Sequence, residues 1–149
     1  MKKTEEEDFQ STLVSAFSYE LLRDTLIPDL LGKHTADLSY WAGKHLARKF
    51  PLATNEETVN FFQEANWGIL TLMKEKKHRK TFTLSGQVVK KRLEMNNDAC
   101  FKLEAGFLAQ QYEQQHHVLT EAIESVQKRS SSVELTVQWD DTDFVKSDK

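Results

Sequence analysis

Few residues in this chain could do chemistry, and they are scattered. There is one cysteine, Cys100, and there are five histidines, His34, His45, His78, His116 and His117. A structural zinc site needs four Cys or His ligands at close, paired spacing, and no such spacing occurs. His116 and His117 are adjacent, so on a helix they point about 100° apart and cannot share a metal, which leaves solvated surface histidines as the simpler reading. No metal and no cofactor is expected. Cys100 could act as a nucleophile or take a modification if a helix N-terminus lowered its pKa. Activation also requires a base, no histidine lies near it in sequence, and a free cysteine is commonly a small buried hydrophobe.

Charged residues inside apolar blocks are the second candidate. Glu20, Arg23, Arg48 and Glu104 sit among hydrophobic neighbours, where burial is costly unless the charges pair. One reading is a structural network joining Glu20 or Glu104 to Arg23 or Arg48. The other is the polar end of a binding pocket walled by Tyr19, Trp41, Trp67 and Phe107; aromatic residues at helical spacing also suit a plain core. The basic run Lys74–Lys80, helped by Lys90-Lys91-Arg92, could attract RNA or an anionic membrane, though a solvated hairpin tip accounts for it equally. The net charge of −3 argues against nucleic acid. Phosphate loops, dinucleotide fingerprints and nucleophile elbows are absent, so an enzyme is not expected.

The elements that must position these residues follow from periodicity. Tyr19, Leu22, Leu26 and Leu30 recur at helical spacing, with Pro28 expected to kink or break the helix and Gly32 to end it. Thr35 is a good N-cap for a second helix with Asp37 in its first turn and an apolar stripe of Leu38, Trp41, Ala42, Leu46 and Phe50. Lys44, Arg48 and Lys49 suit its later turns, and Pro51 stops it. Thr54 or Asn55 caps a third, turning Val59, Phe62 and Ala65 inward to about Trp67-Gly68. Ile69–Lys74 and Thr81–Leu84 then read as a β-hairpin with a long charged tip. Ser85 can cap a short helix with Val88, Val89 and Leu93 inward, and a stronger helix runs from Cys100 through Phe101, Ala105, Leu108 and Tyr112. Val133, Leu135, Val137 and Trp139 alternate with polar residues as a strand. Between Val118 and Val126 the spacing alone is helical.

The 149 residues, 39% hydrophobic and 29% charged, suit one domain over 1–149, with a core at about 16–140 and polar tails. The single cysteine, the lack of an apolar leader and the lack of a run of about 20 apolar residues make the cytoplasm the expected compartment, with no transmembrane segment.

Five blocks carry a resemblance: Phe17–Gly32 (FSYELLRDTLIPDLLG), Tyr40–Leu52 (YWAGKHLARKFPL), Trp67–Leu72 (WGILTL), Phe101–Gln111 (FKLEAGFLAQQ) and Val133–Asp140 (VELTVQWD). In this order they resemble the bacterial YslB family, which has no assigned activity. That family is similar in turn to the ligand-binding domains of nitric-oxide signalling and Golgi transport, among them vinyl-reductase-type domains and vesicle-tethering subunits. The resemblance implies an α+β fold of order α-α-α-β-β-α-α-β-β, with helices on one face of a four-stranded antiparallel sheet. It therefore makes 118–126 a strand, against the helical spacing, with a turn at Arg129–Ser132.

It also implies a small or lipid-like ligand held between helices and sheet, and a homodimer. Tethering-subunit relatives carry an acylated cysteine, and Cys100 is the one residue here that could play that part. The metal-binding clusters of vinyl-reductase-type relatives are absent. The reading is thus a non-enzymatic domain that binds a small apolar ligand or a protein partner, with Tyr19, Arg23, Trp41, Trp67, Cys100, Glu104 and Phe107 as candidate ligand-binding residues. A structural adaptor acting only through its surface is the alternative, and an enzyme using Cys100 the remaining one.

Overall fold

The computed structural model describes residues 14–144. The polar tail expected before residue 16 falls almost wholly outside them. The first helix, α1, is continuous: α-helical turns at Ala16–Glu20 and Ile27–Leu31 flank a π-helical stretch, Leu21–Leu26. Ser15 caps it by accepting from the Ser18 amide. Pro28 neither breaks nor ends this helix. The π-helical turn just before it, in which the Ile27 amide reaches the Leu22 carbonyl, absorbs the missing donor.

Gly32, at φ 56°, ends α1 and opens a single 3-10 turn into α2 (Thr35–Lys49). Thr35 does not cap by accepting; its hydroxyl donates back to the Gly32 carbonyl. Thr54 is the true cap of α3 (Asn55–Glu64), accepting from the Glu57 amide. The hairpin β1 (Ile69–Lys76) and β2 (Arg79–Ser85) follows, then α4 (Gln87–Met95), α5 (Lys102–His116), β3 (Val118–Gln127) and β4 (Ser132–Phe144). The sheet is antiparallel, of order β1-β2-β4-β3. This is the expected α+β architecture and element order.

Several local expectations change. The hairpin tip is tight, with Lys76 paired to Arg79 across Lys77-His78, because the polar residues of the supposed loop extend both strands. Ser85 belongs to β2, and Gly86 at φ 108° leads into α4. Helix α5 starts at Lys102, so Cys100 precedes it. Strand β4 runs on past Asp140 to Phe144.

In β3 the inward residues Val118, Thr120 and Ala122 are buried, while Leu119 and Ile123 are exposed on the other face. Apolar side chains on both faces imitate a helical spacing and hide the period of two.

The core lies between the sheet and α5, which is buried on every side from Glu104 to Tyr112. Helix α2 crosses α5 so closely that a Cβ on Gly43 would lie 2.1 Å from the Leu103 carbonyl oxygen, and one on Gly106 2.0 Å from that of Tyr40. That contact explains why Gly43 and Ala47 are the buried residues of α2. Its expected stripe is instead largely exposed at Leu38, Trp41 and Phe50.

Glutamines of α5, Gln111 buried and Gln114 half-buried, hold the end of α2 and the loop that follows it. Gln111 donates to the Phe50 carbonyl at 2.7 Å and accepts from the Leu52 amide at 3.0 Å, and Gln114 donates to the Ala47 carbonyl at 3.2 Å. Carbonyls left open at the end of α2 thus find partners. The outer edge of β3 is also closed: the Ala122 amide donates to the Tyr40 hydroxyl and the Thr120 amide to Glu113.

Candidate functional site

Helix α1 is built inside out. Glu20 is buried, Arg23 and Asp24 point inward, and the large apolar residues Phe17, Leu21, Leu22, Leu26, Ile27 and Leu30 are left to solvent together with Ser18, Thr25 and Asp29. A surface helix ordinarily hides its apolar stripe and exposes its charges. Here the anchor is a charge network. Arg23 donates to the Tyr19 hydroxyl at 2.6 Å and pairs with Glu104 of α5. Arg92 of α4 holds Asp24 through Nη2 at 2.7 Å and Nε at 3.0 Å, and reaches Glu104 at 3.4 Å. Its Nη2 also donates to the Cys100 carbonyl at 2.8 Å, and its guanidinium lies 4.3 Å from the Phe101 ring.

Two arginines thus face two carboxylates, and Glu104 is fully buried. Burial alone would pull the Arg23 guanidinium down, but Glu104 and Tyr19 beside it outweigh this and its pKa is raised. Burial likewise raises the Tyr19 hydroxyl, with Arg23 opposing. Glu20 stands apart, one of its buried carboxylate oxygens having no hydrogen-bond partner.

Where α1 leans on α2 the surface opens into an apolar cleft of about 260 Å³. Ile27, Leu30 and Leu31 form one wall, Leu38 and Ala42 the other, with Leu103, Cys100 and the aliphatic part of Arg23 also bordering it. A larger depression of about 420 Å³ between α2 and the β3–β4 end of the sheet is ringed by Lys44, Glu113, Glu121 and Asp140. Its charged rim is suited to water, and the cleft is the better candidate because its walls are aliphatic.

The candidate residues separate into three groups. Arg23 and Cys100 line the cleft, and Tyr19 and Glu104 stand behind it through their bonds to Arg23. Trp67 and Phe107 lie in the core with Phe61 and Phe62, ring centroids 4.6 to 5.9 Å apart, filling the space between helices and sheet. Trp41 is 58% exposed on α2 and stacks on His45. Arg48 is exposed and takes no part in the network.

Sequence reading missed Asp24 and Arg92. Arg92 was grouped with Lys90 and Lys91 as a basic run, yet it is buried. Its spacing of three from Val89 on the inward face of α4 was the available signal. The tip run also divides: Lys80 turns inward to Glu75 at 3.0 Å and over the Tyr112 ring. Among the described residues no group of three His, Cys, Asp or Glu is placed to hold a metal, and no helix is long and apolar enough to cross a membrane.

Residues 16–138 match the family described as "Protein of unknown function (DUF2507)". The chain belongs to that family. It is similar to "Uncharacterized protein YslB" of Bacillus subtilis (strain 168), 46% identical over 132 residues that make up 89% of each chain. Among solved structures, the DUF2507 chain is similar to a vinyl-4-reductase family protein from Methanocaldococcus jannaschii. The TM-score is 0.62 at 19% identity, over 93% of this chain and 90% of that one. At that identity the likeness shows a shared fold and nothing of activity.

Proposed function

We propose that this DUF2507 protein is a non-enzymatic recognition domain whose contact surface is the α1–α2 cleft and the leucine-rich face beside it. The observation that carries this reading is the inversion of α1: a charge network holds the helix in place, and its apolar side chains are left for something else to cover. An exposed apolar patch of this extent marks an interaction site. The cleft, at about 260 Å³, falls just below the ~300–1,000 Å³ usual for pockets that enclose a whole small molecule. It suits the alkyl end of a lipid-like ligand, or apolar side chains of a protein partner.

The alternative, an adaptor acting only through its surface, draws support from the aromatic core, in which Trp67 packs edge-on against Phe107 with ring centroids 5.1 Å apart. Both readings are tested by native mass spectrometry of protein purified from a DUF2507-containing bacterium. A mass excess lost on denaturation and abolished by Leu103→Trp, which fills the cleft, supports a carried ligand. Bare protein in every preparation sinks the ligand form of the reading, and an adduct that survives denaturation on Cys100 replaces it with covalent modification.

A further inference from the structure

We propose that the open edge of β1 is a second recognition surface, which takes an extended acidic segment of a partner protein as a fifth strand. This surface shares no residue with the α1–α2 cleft and does not depend on it.

The two edges of the sheet differ. On β3 the Thr120 and Ala122 amides are bonded to Glu113 and Tyr40. At the other end of the order β1-β2-β4-β3, the main chain of β1 bonds only to β2 among the described residues. Such an edge presents alternate N–H and C=O groups to whatever can pair with them. Side chains mark the same gap. Leu70 and Leu72 share the core-side face, beside Leu84 and Phe82, yet Leu70 is 2% exposed and Leu72 36%. Ile69 and Met73 are exposed as well. One more strand would cover Leu72 and pair the open main chain, which is how sheets recognise extended peptides.

Charge selects the occupant. Lys74, Lys76, Lys77 and Arg79 are exposed at the hairpin tip, and no described carboxylate pairs with them. The acids nearby do not cancel this charge. Glu75 is taken by Lys80 at 3.0 Å. Glu134 lies on β4, two strands and so roughly 10 Å from the open edge. Glu64 closes α3, just before the chain enters β1 at the opposite end. Lysines on an edge ordinarily prevent strand-to-strand association, and against another basic edge they repel. An acidic segment meets them with opposite charge instead.

The register shift at Met73 divides the edge into an apolar half, Ile69–Leu72, and a basic half, Lys74–Lys76. A strand added antiparallel, like every pair in this sheet, crosses the basic half first. The partner segment therefore carries acidic residues followed by β-branched ones. RNA would satisfy the lysines but has no strand main chain to pair with Ile69–Leu72.

The test is NMR titration of the isotope-labelled full chain with a peptide of four glutamates followed by alternating threonine and valine. Shift changes should be confined to β1 and the hairpin tip, and alternate amides of Ile69–Leu72 should exchange with solvent at least about 10-fold more slowly when bound. Of two peptides N-methylated on alternate residues of the threonine–valine half, one should fail to bind and the other should bind as before. Lys74→Glu with Lys76→Glu should weaken binding at least about 10-fold. Lys90→Glu with Lys91→Glu, an exposed basic pair on α4, should leave it unchanged. Circular dichroism confirms that both double variants fold. A peptide that leaves β1 unperturbed at millimolar concentration overturns the proposal. So does equal binding of both N-methylated peptides, which would remove main-chain pairing from the account. Equal binding of oligouridylate, without slowed exchange in β1, would replace the fifth strand with a polyanion patch.

Discussion

Helices α1 and α5 are joined by the ion pair of Arg23 with Glu104, yet they distribute polarity in opposite ways. Helix α5 is enclosed by α2 and the sheet, and nine consecutive residues from Glu104 to Tyr112 are buried whatever their type. Helix α1 is anchored to the body through the ion pairs of Arg23 and Asp24, while most of its large apolar side chains, and Asp29 among them, face solvent. A buried ion network gives little net stability over apolar packing, but it fixes which face is in. In α5 burial is set by position in the fold; in α1 polarity has been turned around, and the apolar face that results is the feature most in need of a functional explanation.

This contrast is sharpest where a large side chain is removed. Phe107→Ala on α5 deletes a fully buried ring that touches Phe61, Phe62 and Trp67, and should cost about 3–5 kcal/mol in urea unfolding. Glu104→Gln, at the join of the two helices, leaves two buried guanidiniums with only Asp24 between them and should cost about as much, ~3–5 kcal/mol. A loss below about 1 kcal/mol would show that the network does not hold α1 in its inverted orientation. Leu30→Gln on α1 should change the stability of the monomer by no more than about 0.5 kcal/mol, measured at a concentration low enough to exclude association. A large loss there would mean that the exposed leucine is part of the core after all, and the comparison would collapse.

How far these features were legible in the sequence follows from the same contrast. Alternation in 133–139 and the Thr54 cap were readable because those segments have one wet side and one dry side. In β3 spacing alone misled, and the family resemblance identified the strand; Leu119 and Ile123 on its solvent face were the cause. The stripe of α2 failed because a close helix crossing demands Gly43 and Ala47, residues that hydrophobic patterning scarcely weighs. Arg23 and Glu104 stood out as charges in apolar blocks, and their pairing was among the expected alternatives. Asp24 and Arg92 did not, since Arg92 follows two lysines and only its buried position on α4 sets it apart. Periodicity correctly aligned the leucines of α1, but it cannot say which way a face points. The usual inference from an apolar face to a core face is what fails here.

The smallest expected effect lies where α5 leaves the core. His116 sits on its last turn against the Tyr112 ring, centroids 4.1 Å apart. Partial burial lowers its pKa below the usual histidine range, and the positive charges of Lys80 and His117 push the same way. The folded state therefore releases this proton at a lower pH than the unfolded chain does. Between the depressed value and ~6.5 the unfolded state binds more protons, so this residue's contribution to stability rises with pH through that window. It is fully recovered above the unfolded value. Because His116 is mostly solvent-exposed the effect on Tm will be slight, and NMR titration of its ring protons is the cleaner readout. The midpoint should fall below that of a model histidine, and Lys80→Met should raise it by removing a nearby positive charge. An unshifted midpoint in the wild type would mean that the end of α5 is as open to water as the outer face of α1, and the sharp boundary of the buried helix would have to be placed before Tyr112.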